Sequence, residues 1–398
     1  MKLLFKTAAF VALLFISLHS YSQSKIDVAK QISLAEKQYK ELLQNFQDTT
    51  KFPQSTSPDG TYKKMPSDWW CSGFFGGTLW YLYEYTKNND WKQQADKWTM
   101  AVQKQQYNTH THDLGFMLYC PFGNGYRLTN NEAYKNIMLQ GAKSLATRFH
   151  PQVGVIKSWD SYKGRGSSTV YNYPVIIDNM MNLEFLFWAA KTSGNKEFYN
   201  ICISHADATL KNHFRPDNSS FHVVCYDSSN GNVLAQKTLQ GYSDESAWAR
   251  GQSWGLYGYT VMYRETKDKK YLQQAIKIAN FIINHPRLPK DKVPYWDFDD
   301  PAIPNTVRDA SAAAVTCSAL LELSNYVNKA QKKVFFSTAE EILQSLSSPE
   351  YFAAEGNNHF LLKHSTGYKP ANSEVDTPII YADYYYLEAL LRYSRMVK

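Results

Sequence analysis

Apolar residues recur with a period near 3.6 along twelve stretches of the chain, separated by polar turns. The stretches lie near residues 26–46, 73–88, 91–107, 113–120, 131–148, 178–192, 196–212, 246–266, 269–285, 308–325, 329–347 and 378–396. Each predicts an amphipathic helix. Three junctions look alike: Glu84-Tyr85-Thr86-Lys87 before Trp91, Ala190-Lys191-Thr192-Ser193 before Phe198, and Arg264-Glu265-Thr266-Lys267 before Tyr271. Each closes one helix on polar residues and opens the next on an aromatic, the pattern of a repeated helical hairpin. The spacing between copies is irregular, which excludes a strict solenoid. A dozen paired helices either stack as an open array or close into a toroid with an inner and an outer ring.

One β-like insertion breaks the helical pattern. Residues Ser220 to Tyr226 alternate, and Asn230-Gly231 before Asn232 to Thr238 is a type I′ hairpin signal. The alternation places Phe221, Val223 and Cys225 on one face and His222, Val224 and Tyr226 on the other. The segment from Pro286 to Thr306, with its Pro-Tyr-Trp-Asp-Phe-Asp-Asp run, has no helical period. Long loops over a rigid scaffold are where function is usually placed.

Composition narrows the class. The 398 residues are 44% hydrophobic and 20% charged, enough for a packed core and too apolar for a disordered chain. The 43 Lys and Arg are interspersed with 36 Asp and Glu, which argues against a nucleic-acid partner. Lys2 and Lys6 precede an apolar run from Thr7 to Leu18, and Ser20 and Ser22 form a small-x-small site, so residues 1–22 are expected to be a cleaved signal peptide. The run is too short to remain as a membrane span and has no Cys for a lipid anchor, giving a soluble periplasmic or secreted product. Five cysteines, widely spaced and odd in number, are not a disulfide framework and read as buried small hydrophobes.

The candidate chemistry is carried by two acids and a polar-aromatic stretch. Asp178 follows three branched apolar residues at the start of a hydrophobic helix. It is either a helix cap or a carboxyl group desolvated by its neighbours and able to hold a proton near neutrality; the two readings are compatible. Asp113 stands in His110-Thr111-His112-Asp113, again readable as a cap. The His-x-His pair there raises a metal site, but no third ligand follows at a recognised spacing, so no metal and no cofactor are assigned. Together the acids would supply the two carboxyl groups that glycoside chemistry typically needs. In the stretch Gln240 to Trp254, Arg250 and Trp254 share a helix face from a start near Ser246. A cation beside a flat ring suits a sugar bearing a carboxylate, or is a structural cation–π contact on the helix surface. Trp69, Trp70 and Trp159 fall in loops, where they can serve as sugar platforms. Asp297, Asp299 and Asp300 lack an EF-type spacing for calcium and read as a solvated or capping loop.

These stretches together resemble the unsaturated glucuronyl hydrolases of glycoside hydrolase family 88. The matching strings are Thr111-His112-Asp113-Leu114-Gly115-Phe116, Ile177-Asp178-Asn179-Met180-Met181-Asn182-Leu183, Phe221-His222-Val223-Val224, Gln240-Gly241-Tyr242-Ser243-Asp244, the run from Trp248 to Gly258, and Val293-Pro294-Tyr295-Trp296-Asp297-Phe298-Asp299. They run in order through roughly residues 67 to 395. The resemblance implies an all-α (α/α)6 barrel of about twelve helices with a small β-hairpin insertion, filling residues 23–398 as one catalytic domain. It implies Asp178 as general acid/base, Asp113 as its essential partner, and His222, Gln240 and Arg250 as substrate-binding residues. Trp254, Trp70, Trp159 and His112 would shape or stack on the sugar subsites. The implied substrate is an unsaturated uronic-acid oligosaccharide left by a polysaccharide lyase, bound by a monomer or weak homo-oligomer. The segment His364 to Lys369 lies where some members place sulfate-contacting Ser and Lys, with a different spacing. The related unsaturated rhamnogalacturonyl hydrolases of the pectin pathway and a non-catalytic carbohydrate-binding protein remain as alternatives.

Overall fold

Every one of the twelve apolar stretches folds as a helix. In the computed structural model, which describes residues 26–397, they are α1 (Val28–Asn45), α2 (Ser72–Thr86), α3 (Asn89–Met100), a π-helix (Gly115–Gly123) running into α4 (Asn124–Thr129), and α5 (Glu132–Ala146). A 3-10 helix (Ile177–Asn182) leads into α6 (Leu183–Ser193), followed by α7 (Lys196–Asn212), α8 (Ala249–Thr266), α9 (Lys269–Asn284), α10 (Ala310–Leu323), α11 (Lys329–Leu346) and α12 (Ile380–Met396). The leader expected at 1–22 lies outside the described residues.

The helices form two rings. α2, the π-helix, α6, α8, α10 and α12 pack each on the next, and α12 packs back on α2 to close the inner ring. Around it, α3 covers α2, α5 covers the π-helix and α6, α7 covers α6, α9 covers α8, α11 covers α10, and α1 bridges α12 and α2. This is the (α/α)6 barrel. Residue type follows ring position: α10 is buried without a break from Ala310 to Leu321, whereas outer α9 buries only the stripe Tyr271, Gln274, Ala275, Ile278, Ala279 and Ile282. All five cysteines are buried and form no disulfide.

The look-alike junctions share one mechanism. Lys87, Gly194 and Lys267 each adopt the left-handed conformation just after the helix end. Asn88, Asn195 and Asp268 then cap the following helix through their side chains. A hydroxyl stitches each turn: Thr86, Ser193 and Thr266 donate four residues back and accept from the N–H two residues on. Thr129-Asn130-Asn131 repeats the hydroxyl, the left-handed residue and the cap between α4 and α5.

The β structure exceeds what the alternation predicts. Three two-stranded ribbons pair β1 (Phe52–Thr56) with β2 (Tyr62–Met65), β3 (Phe149–His150) with β4 (Val155–Ile156), and β5 (Tyr162–Lys163) with β6 (Val170–Tyr171). Most of these strands are two residues long, below any periodic signal. The expected hairpin, β8 (Val223–Tyr226) and β9 (Val233–Lys237), is present and gains a third strand, β7 (Pro174–Ile176), on the far side of β8. Its turn is wider than type I′. Asp227 N–H bonds Asn232 O, and Gly231 takes a positive φ of 75° while Asn230 does not. The face assignment holds within β8, where Val224 and Tyr226 pack apart from Val223 and Cys225. It fails just before the strand: Phe221 packs with Val224, and His222 lies against Trp159 on the Val223 side.

Candidate active site

The three-stranded sheet sets the first acid. β7 runs straight into the 3-10 helix, and Ile177 N–H continues the ladder by donating to His222 O at 3.0 Å. Asp178 and His222 therefore leave neighbouring strands side by side, with Oδ2 3.7 Å from Nε2. The turn is pinned from below, where Ile176 N–H donates to Ser158 Oγ (2.9 Å) and Asn179 donates to Ile156 O (2.7 Å). Asp178 caps no helix. The caps of the 3-10 helix and of α6 are Ile176 and Asn182, and neither makes a side-chain capping bond.

The second acid arrives from the inner ring. Asp113 precedes the π-helix, with its carboxylate accepting from Thr111 Oγ (2.9 Å) and lying 3.3 Å from His112 Nε2. It too is no side-chain cap, since the cap residue is Leu114. The segment is docked by Gly115, whose N–H donates to Asn182 Oδ1 at 2.9 Å. A Cβ at Gly115 would sit 2.4 Å from that oxygen, so only glycine allows the approach. Asn182 belongs to the 3-10 helix that carries Asp178 and also contacts His112 Nδ1 at 3.4 Å. One asparagine thus registers both acid-bearing segments.

Burial pushes the Asp178 carboxyl up to about 7, partly offset by the nearby Arg250 charge and reinforced by the negative charge of Asp113. Both acids keep a solvent-facing edge, 10% of the side chain for Asp178 and 14% for Asp113. His222 is held neutral by burial and then by Arg250, which lower its pKa. Its tautomer follows from its partners. Nδ1 accepts from the N–H groups of Leu239 and Gln240, both at 3.1 Å, so the proton sits on Nε2 and faces Asp178. The side-chain atoms Asp178 Oδ2, His222 Nε2, His112 Nε2, Arg250 Nε and Trp254 Nε1 are all buried without a well-formed hydrogen bond, although the two imidazole nitrogens stand 3.7 Å from Asp178 and 3.3 Å from Asp113. Unpaired polar atoms are rare in packed interiors, and five at one locus mark a place prepared for a polar ligand.

Arg250 is fully buried near the start of α8. It donates to Asp309 Oδ2 (2.8 Å), Thr366 O and Gly367 O (2.7 Å), and Gln240 donates to the same Gly367 O at 3.0 Å. Arg250 and Trp254 both act on the Asp178 carboxyl, but the guanidinium does not stack on the Trp254 ring. The helix begins at Ala249, and the guanidinium lies over Trp248 (4.6 Å) and Tyr381 (5.3 Å). Trp254 turns inward against Phe116 (5.4 Å) and Tyr385 (5.5 Å), with no surface left as a platform. A surface cation–π contact is equally excluded.

Contacts link the other expected residues around Asp178. Trp159 meets His222 at 6.2 Å, His222 meets Trp248 at 4.5 Å, and Tyr381 beyond Arg250 meets Trp70 at 5.0 Å. Trp70 also touches Phe116, which closes on Trp254. Trp70 and Trp159 are half-buried and keep open ring surface. Asp309 and Tyr381 belong to this assembly and escaped the sequence reading, and Asn182 and Trp248, quoted there within longer strings, were given no role. Asp309 alone carried a signal, an acid directly before an apolar helix, which identifies a cap and not its charged partner.

Other candidates resolve differently. His110 is exposed while His112 is buried, so the two rings do not converge. Among the described residues no group of three His, Cys, Asp or Glu is placed to hold a metal ion. The acidic loop is only partly solvated, with Asp299 exposed and Asp297 and Asp300 buried. Asp297 accepts from Tyr242 N–H (2.8 Å) and Ser246 Oγ (2.7 Å), Asp299 from Ala247 N–H (2.9 Å), and Asp300 from Thr306 Oγ (2.6 Å) and Lys369 (3.0 Å). These carboxylates tie the loops together. A separate cavity of about 440 Å³ runs inside the ring toward the C-terminal ends of α2, α8 and α12. Of its two carboxylates, Glu388 is engaged by Tyr81, Tyr257, Ser318 and Arg392, and Glu184 by Arg264.

Comparison with known proteins agrees with this architecture. The family model described as Glycosyl Hydrolase Family 88 matches residues 35–260. An unsaturated glucuronyl hydrolase of Formosa agariphila is 45% identical over 93% of this chain and 92% of its own length. An unsaturated chondroitin disaccharide hydrolase of Streptococcus pneumoniae is 34% identical over 86% of each chain. A crystal structure of an unsaturated glucuronyl hydrolase specific for heparin superposes with a TM-score of 0.89 at 48% identity, covering 93% of this chain and 97% of that one. With this shared double ring and this extent of identity, the chain belongs to glycosyl hydrolase family 88.

Proposed function

We propose that this protein removes the 4,5-unsaturated glucuronyl residue from the non-reducing end of glycosaminoglycan oligosaccharides produced by lyases. The observation that carries the reading is a buried carboxyl, Asp178, able to keep its proton near neutrality while facing a neutral imidazole N–H and a second carboxylate. The C4=C5 bond of such a substrate is an enol ether, and a proton delivered to C4 leaves an oxocarbenium-like centre at C5 shared with the ring oxygen. Asp178 supplies that proton. The carboxylate it becomes, together with Asp113, stabilises the positive charge. Asp178 then takes a proton from water as the oxygen adds at C5, which restores the acid. The resulting hemiketal opens and releases the neighbouring sugar, so the glycosidic bond breaks without attack at C1.

His222 Nε2–H and the buried Trp254 Nε1–H both lie beside Asp178 and are suited to stabilise it once ionised. Trp70 and Trp159 offer ring surface for sugar stacking. Relatives named for glucuronyl and chondroitin disaccharide hydrolysis favour glycosaminoglycan fragments over pectin fragments. The test is a panel of lyase-made disaccharides, glycosaminoglycan and rhamnogalacturonan in origin, followed by loss of the ultraviolet absorbance of the C4=C5 bond. Turnover of the first class and its loss in Asp178→Asn support the reading. An unchanged signal with every glycosaminoglycan disaccharide overturns it. We further propose export to the periplasm or medium through the leader at 1–22, checked by N-terminal sequencing of the extracytoplasmic protein.

A further inference from the structure

Asp309 has no part in the chemistry just described, yet it is buried completely within reach of it. Its two oxygens do different things. Oδ1 accepts from Ser311 N–H (3.0 Å), Ser311 Oγ (2.5 Å) and Thr366 N–H (3.3 Å), which caps α10 and holds the segment at residues 365–367. Oδ2 is committed to Arg250 Nη1 at 2.8 Å. The remaining Arg250 bonds run to the carbonyls of Thr366 and Gly367, which carry no net charge, so Asp309 is the hydrogen-bonded carboxylate that neutralises this guanidinium. Asp178 lies within the electrostatic reach of the same cation.

We propose that Asp309 is a positioning residue for the reaction: by pairing with Arg250 it keeps the guanidinium from turning onto Asp178 and leaves that acid holding the proton it must deliver. The inference rests on Asp178 being the proton donor. Without Asp309 the Arg250 charge is left buried and unpaired, and the nearest carboxyl able to ionise beside it is Asp178. The other groups in the neighbourhood do not replace it. Asp113 faces Asp178 with like charge, His222 and His112 are held neutral by burial, and burial keeps the Tyr381 and Cys71 protons in place. Glu374, the remaining acid of this region, is engaged by Lys63 and Gln54.

The test is the pH profile of kcat/KM on a lyase-made glycosaminoglycan disaccharide for Asp309→Asn and Asp309→Glu. Removing the charge is expected to move the alkaline limb down by about one to two pH units, costing at least tenfold in rate above that limb, and Asp309→Glu is expected to restore it. Asparagine turns an amide toward Arg250. Should that variant not fold, Asp309→Ser keeps a capping oxygen with no charge and gives the same reading. A limb unmoved under a uniformly lower rate makes Asp309 a structural cap only and overturns the proposal. Wild-type turnover in Asp178→Asn instead overturns the proton-donor reading on which it rests, so the two failures are distinguishable.

Discussion

An acid held protonated by burial must cost the fold stability, and Asp178→Asn exposes that cost. The carboxyl moves from an ordinary value of 3.8 to about 7 on folding. The sign follows from proton counting. Below about pH 4 the group is neutral folded and unfolded, and it contributes nothing. Between about pH 4 and 7 the unfolded chain releases the proton while the folded one keeps it, so stability falls as pH rises. Above about 7 the loss is complete. Three pH units at about 1.4 kcal/mol each give roughly 4 kcal/mol. Unfolding entropy of about 2 cal/mol/K per residue makes that about 5 °C in Tm for a chain of this size. The expected result is that Asp178→Asn matches the wild type at about pH 4 and becomes more stable by up to that amount at about pH 8. Urea unfolding followed by Trp fluorescence across this range measures it, with turnover lost in parallel. A difference between the two proteins that stays constant with pH refutes the argument, because a group that does not titrate abnormally leaves no pH-dependent gap.

Three further outcomes follow from the same geometry. Truncating His222 to Ala removes the Nε2–H donor beside Asp178 and is expected to lower kcat on the order of 10²-fold with the helical circular-dichroism signal retained; an unchanged kcat contradicts its placement in the site. Gly115→Ala forces a Cβ against Asn182 Oδ1 and is expected to cost about 1–3 kcal/mol in urea unfolding, with activity reduced at every pH because both acid-bearing segments shift. Exhaustive chelation is expected to leave turnover unchanged, since the groups at the site are arranged for proton transfer; activity restored only by added metal would contradict this.

The pattern along the chain made the twelve helices legible because each of its devices is local, while the closed barrel came from the family resemblance. An apolar period marks each helix, and a polar turn ending in an Asn or Asp cap marks the junction to the next, as at Lys87-Asn88 and Lys267-Asp268. The acids were legible for the same reason: Asp178 stands against three branched apolar neighbours, and desolvation is a consequence of company the sequence displays. What escaped depends on ring closure. Arg250 finds its carboxylate 59 positions away and its carbonyls 116 and 117 positions away, and no spacing rule connects residues that meet only when α8, α10 and the loop before α12 come together. The i, i+4 spacing puts Trp254 and Arg250 on one side of α8, where both act on Asp178, but spacing does not say which ring each will pack against. In the inner ring α8 is buried on nearly every residue, and the guanidinium is drawn to Asp309 and the faces of Trp248 and Tyr381 while the indole fills the space by Phe116 and Tyr385. Local rules lose their hold where a helix has no solvent face. The charge balance around Asp178 is decided there, among partners supplied by four separate segments.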